Sequence, residues 1–110
     1  MKQLLLISLL FPFFANAADT DYALTVKDQH FQPNELIVMP GKKVKLVIHN
    51  QDAMPIEFES SDLSREVVVP GHGEVAIYVG PLDSGSYQFF NDFNHDMKGS
   101  IVVNAANKGN

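Results

Sequence analysis

YQFFNDFNHDMKGSIVV, residues 87–103, sets two strand-forming runs on either side of a polar segment. Tyr87, Phe89 and Phe90 are aromatic, and Ile101, Val102 and Val103 are β-branched, types that fit a pleated, half-buried surface. The polar segment from Asn91 to Lys98 reads as a loop joining them. The same pattern recurs upstream. In residues 43–50, Val44, Leu46 and Ile48 share one strand face, and Lys43, Lys45, Val47 and His49 share the other, so one side is core and the other mostly solvent. Residues 22–26, 35–39, 56–59, 65–69 and 74–79 read as further strands. Turn chemistry separates them at Pro33-Asn34, Pro40-Gly41, residues 50–55, Pro70-Gly71-His72-Gly73, Gly80-Pro81 and Asp83-Ser84-Gly85.

Strands of this length, recurring every 8–12 residues or so with no sustained helical period, predict an all-β, antiparallel Greek-key β-sandwich of seven to eight strands. A small closed barrel is the alternative, because strand period does not report closure. The chain has 110 residues, enough for one small domain. Its 8 Lys+Arg against 13 Asp+Glu give a net charge of -5, which argues against electrostatic nucleic-acid binding. Cysteine is absent, which excludes disulfides, thiolate zinc sites, iron–sulfur clusters and a cysteine nucleophile.

Residues 1–17, MKQLLLISLLFPFFANA, carry one positive charge at Lys2, an uncharged apolar run from Leu4 to Phe14, and a small-residue triplet ending at Ala17. This is the layout of a secretory signal peptide cut after Ala17, and the apolar run is well short of the ~20 residues that a membrane span needs. The expectation is an exported, periplasmic domain over residues 18–110, with no membrane span after cleavage, a core in residues 22–103 and a frayed tail over residues 104–110.

Catalytic motifs are lacking. The histidines His30, His49, His72 and His95 show none of the short zinc spacings, the serines form no nucleophile elbow, and Gly71-His72-Gly73 does not precede a helix as a phosphate loop would. The polar segment instead collects His95, Asp92 and Met97, and imidazole, carboxylate and thioether together can hold a late transition metal, the thioether favouring Cu(I). The alternative is a solvated hairpin loop with one exposed histidine. Glu57 and Glu59 share one strand face about 7 Å apart while Ile56 and Phe58 face the core, so the two carboxylates either take a hard cation or form a solvated face. Arg65 and Glu66 read as partners of neighbouring surface charges, and His49 as a surface histidine.

Tyr87-x-Phe89 followed by Met97-Lys98-Gly99-x-Ile101-x-Val103 resembles the last two strands of the cupredoxins. The segments Asn50-x-Asp52-x-x-Pro55-x-x-Phe58 and Phe31-x-Pro33-x-x-Leu36, with Pro40-Gly41-Lys42, extend the resemblance over most of residues 22–103. The blue-copper ligands do not carry over. Asn91 stands where the family places its cysteine and Ile56 where it places its first histidine, and a blue-copper centre needs two histidines and a cysteine. Residues 55–60, 63–67, 78–82 and 89–94 are similar to the EfeO-type cupredoxin-like branch associated with bacterial iron permeases, whose members also lack the full blue-copper set.

That resemblance implies a periplasmic metal-handling accessory of a high-affinity Fe2+/Fe3+ uptake system, with copper or iron as the ion and assistance of its redox change as an open question. Its implied partners are a periplasmic iron-binding protein and an inner-membrane iron permease. The strand containing Ile56, placed as in a cupredoxin, brings Met54 toward Met97 and His95, with Asp92 orienting the imidazole. The candidate metal residues are therefore His95, Met97, Met54, Glu57, Glu59 and Asp92. Two other readings stand beside this one: a copper-binding carrier, and a metal-free interaction module.

Overall fold

The computed structural model describes residues 20–104. The expected leader over residues 1–17 and the tail from residue 105 lie outside the described residues. Nine strands follow in order: β1 (Thr20–Lys27), β2 (His30–Gln32), β3 (Glu35–Val38), β4 (Val44–Asn50), β5 (Ile56–Ser60), β6 (Arg65–Val69), β7 (Glu74–Val79), β8 (Gly85–Asn91) and β9 (Asn94–Val103). They form a four-stranded sheet, β2-β1-β4-β7, and a five-stranded sheet, β3-β9-β8-β5-β6. Among the described residues no helix is long and apolar enough to cross a membrane.

Alternation decides which side of each strand is buried. Val44, Leu46 and Ile48 on β4 and Ile56 and Phe58 on β5 all face inward, as their period of two requires. Phe89 lies at the centre of an aromatic contact, edge-on to Phe31 at 5.0 Å and tilted against Phe58 at 5.1 Å. The one buried hydroxyl of this sheet, on Ser60, donates to the Gln88 carbonyl at 2.6 Å and accepts from the Leu63 N–H at 3.1 Å.

Two pairings, β1 with β4 and β3 with β9, are parallel rather than antiparallel. In both, the chain crosses to the other sheet before returning, so no hairpin constrains the direction. The expected loop over residues 91–98 is also different. Phe90 pairs with Lys98 but Asn91 pairs with Asn94, so a bulge absorbs residues 95–97 and only Asp92 and Phe93 turn the chain. The bulge leaves His95 and Asp96 both outward and Met97 inward. Strict alternation is broken there, and the strand start was illegible as a strand for that reason.

Four connections meet at one end of the sandwich. The Asp52 carboxylate accepts from the Asp28 and Gln29 N–H groups at 2.8 Å each. This clasps a two-residue hairpin turn in which both residues have positive φ. The Asn50 amide donates to the carbonyls of Met54 and Pro70 at 2.9 and 3.2 Å, and the His72 N–H donates to the Asp52 carbonyl at 2.9 Å. The β8–β9 turn joins them through the Asn94 amide, which donates to the Gln29 side chain at 3.1 Å.

Candidate metal site

Because Ile56 and Phe58 are committed to the core, Glu57 and Glu59 are presented on the outer face of the five-stranded sheet. The next hairpin sets Glu66 directly opposite Glu59. From the other side, the Asp92 N–H donates to the Glu57 carbonyl at 2.8 Å, which anchors the β8–β9 turn beside the same strand. One carboxylate oxygen from each of Glu57, Glu59 and Asp92 then lies within 4.8 Å of the others. Oxygens bound to one cation at ~2.0–2.6 Å are separated by up to twice that distance, so a single ion can touch all three.

His95 borders the cluster. Its Nε2 lies 2.8 Å from an Asp92 oxygen, and its ring stands edge-on to Phe90 at 5.0 Å. The His95 side chain is 68% exposed, so the ring is open to exchange with solvent. Glu57 shows the electrostatic cost of the arrangement. A hydrogen bond shared with the Glu66 carboxyl, then partial desolvation, then the neighbouring charges of Glu66, Asp92 and Glu59 push its pKa up to about 7. Desolvation, then Asp92 and Glu66, raise Glu59 as well, while His95 acts in the opposite direction. Carboxylates held together against their mutual repulsion form a ready acceptor for a positive ion.

Glu66 belongs to this group, so the expectation that Arg65 and Glu66 pair with neighbouring surface charges is corrected by the structure, which sets Glu66 beside like charges. The Arg65 guanidinium instead donates to the Tyr78 carbonyl at 2.6 and 3.1 Å and to Ser64 at 2.9 Å. The signal that would have found Glu66 is the hairpin register, which places residue 66 across from residue 59.

The two methionines are placed differently. Met97 is 4% exposed, and its sulfur accepts from the Asn91 amide at 3.4 Å. Met54 is 62% exposed on the β4–β5 connection. The residues do not fit a type 1 copper centre. The chain has no cysteine. Asn91, at the thiolate position, is buried and fully engaged: its oxygen accepts from the N–H groups of Glu57 and Phe93 at 2.9 and 3.0 Å, and its amide is turned to Met97. Ile56, at the position of the first histidine, is a core residue.

The sequence profile of the cupredoxin-like domain family matches residues 3–103. An uncharacterized protein of Rickettsia prowazekii is 44% identical over 82 residues, which is 74% of this chain and 66% of the relative's length. Among solved structures, the metal binding domain of the Streptococcus pneumoniae Cu(I) exporting P-type ATPase CopA, determined with Cu(I), superposes with a TM-score of 0.70 at 14% identity, covering 83% of this chain and 91% of that one. A copper binding protein in its apo form gives 0.70 at 15% identity, covering 83% and 93%. A mutant of oxidized amicyanin gives 0.62 at 16%, covering 83% and 86%. Identities this low establish likeness of fold alone.

Proposed function

Since the chain belongs to the cupredoxin-like domain family, we propose that it is an exported metal-handling protein serving a periplasmic high-affinity iron-uptake system. Its cargo ion is held by Glu57, Glu59 and Asp92 with His95. The observation that supports this reading is the convergence of three carboxylates within 4.8 Å on the outer face of the sheet. Oxygen donors suit hard cations, and iron in either oxidation state accepts carboxylate and imidazole together. Glu57 and Glu59 supply oxygens from a rigid strand. Asp92 closes the set from the turn and orients His95. The open position of the site favours release over storage, as suits an accessory that passes its cargo to a periplasmic iron-binding protein and an inner-membrane iron permease.

Anaerobic calorimetric titration with Fe(II) tests the reading. Near-stoichiometric binding, weakened at least tenfold by Glu57→Gln combined with Glu59→Gln, is the expected result. Unchanged affinity in that double variant overturns it.

A copper reading is favoured by one observation, the exposure of both His95 and Met54 at the end of the sandwich where four connections meet. It expects Cu(I) binding that is lost in Met54→Leu and Met97→Leu and is indifferent to Glu57 and Glu59. A metal-free interaction module expects no change in melting temperature with either ion, whereas any ligand of the native state must raise it by mass action.

A further inference from the structure

The four-stranded sheet carries a second group of metal-ligating side chains, on different elements from the carboxylate cluster. His49 on β4 and Glu74 on β7 are directly opposed in register, and His49 Nδ1 lies 3.0 Å from a Glu74 oxygen. A carboxylate on one ring nitrogen fixes the imidazole and leaves the other nitrogen, Nε2, free to ligate. The ladder continues past Glu74, because the Asn50 N–H donates to the Gly73 carbonyl at 2.8 Å. His72 follows in the turn before β7 and lines the same concavity as His49. Two imidazoles that face one concavity can share an ion, each about 2.0–2.1 Å from it.

The turn holding His72 is built in place. His72 has φ +56 and its N–H is bonded to the Asp52 carbonyl at 2.9 Å. Gly71 sits so close to the Ala53 carbonyl that no side chain fits there. This pins the turn onto the β4–β5 connection, while the His72 ring makes no hydrogen bond among the described residues. His49, Asn50, Gln51, His72, Gly73 and Glu74 line an open concavity of about 360 Å³.

We propose that this concavity is a second metal site, in which the imidazoles of His49 and His72 hold one late divalent transition-metal ion, Cu(II) or Zn(II). Glu74 is a positioning residue that fixes the His49 ring. The donor chemistry separates it from the carboxylate cluster: neutral imidazole suits copper and zinc, whereas carboxylate suits harder cations.

The test uses the whole protein carrying Glu57→Gln and Glu59→Gln, so that the carboxylate site is silent and the two sites are judged separately. It is titrated with Cu(II) and, in a second arm, Zn(II), with calorimetry for affinity and electron paramagnetic resonance for the copper ligands. One ion per chain is expected, with nitrogen splitting from two imidazoles in the Cu(II) spectrum. His49→Ala and His72→Ala each weaken binding at least tenfold, while His30→Ala does not. Glu74→Ala weakens binding, and Glu74→Gln, which keeps an acceptor for the ring N–H, restores most of it with the two-nitrogen spectrum intact. His72 is exposed on a turn, so His72→Ala keeps the test valid even where a strand substitution at His49 disturbs folding. Binding in His72→Ala as tight as in the parent, or loss with His95→Ala instead, overturns the proposal.

Discussion

Asn91 has three hydrogen bonds riding on one side chain that is 3% exposed. It holds the first residues of β5 against the β8–β9 turn and gives the Met97 sulfur a donor inside the core. Replacing it with alanine leaves the Glu57 and Phe93 N–H groups without their acceptor, and a buried donor left unpaired costs more than a hydrogen bond contributes. Asn91→Ala is therefore expected to destabilise the fold by about 2–3 kcal/mol, read by urea unfolding. The same substitution loosens the turn that carries Asp92. In the sequence Asn91 reads as the first residue of a polar loop, because polarity marks loops on average and nothing local reveals a buried partner set 34 residues away.

Among the elements, β9 shows most directly how packing constrains a hairpin. Gly99 is paired with Phe89, and a Cβ there would stand 2.7 Å from both the Phe89 ring and the Asn34 carbonyl. The missing side chain lets Phe89 sit between Phe31 and Phe58, with β3 leading in alongside. Gly99→Ala forces the ring or the backbone to move, and overpacking of this kind costs about 1–3 kcal/mol, measurable as a lowered denaturation midpoint. The alternation of β4 and β5 was readable residue by residue, including which way Glu57 and Glu59 point, because a regular strand has a period of two. The start of β9 was not, because its bulge breaks that period.

For the molecule as a whole, the crowded carboxylates make stability depend on pH. Glu57 titrates near 7 in the fold against 4.5 for an ordinary glutamate, and Glu59 is shifted in the same direction. A raised carboxylate binds its proton more tightly when folded than when unfolded. Its contribution is thus fully present below about pH 4.5 and is lost as pH rises through about 7. The melting temperature of the metal-free protein is expected to carry a downward slope across that window, and Glu57→Gln to flatten it, as scanning calorimetry would show. A cation bound at the cluster opposes the loss by relieving the repulsion. At a free-ion concentration of 100 times the dissociation constant, mass action alone adds about 2.7 kcal/mol.

Alternation, turn residues and the absence of cysteine determined from the sequence that the chain is all-β, which faces of its strands are core, and that no blue-copper centre can form. Those properties rest on local periodicity and on composition, and both are written in linear order. The tertiary structure alone decided that Glu66 joins Glu57 and Glu59, that Asp92 closes on them from a turn, that Met97 is turned into the core and that His72 lines one concavity with His49. Each of these depends on strand register and on a three-residue bulge, and register is set by how whole sheets pack rather than by any single stretch of sequence.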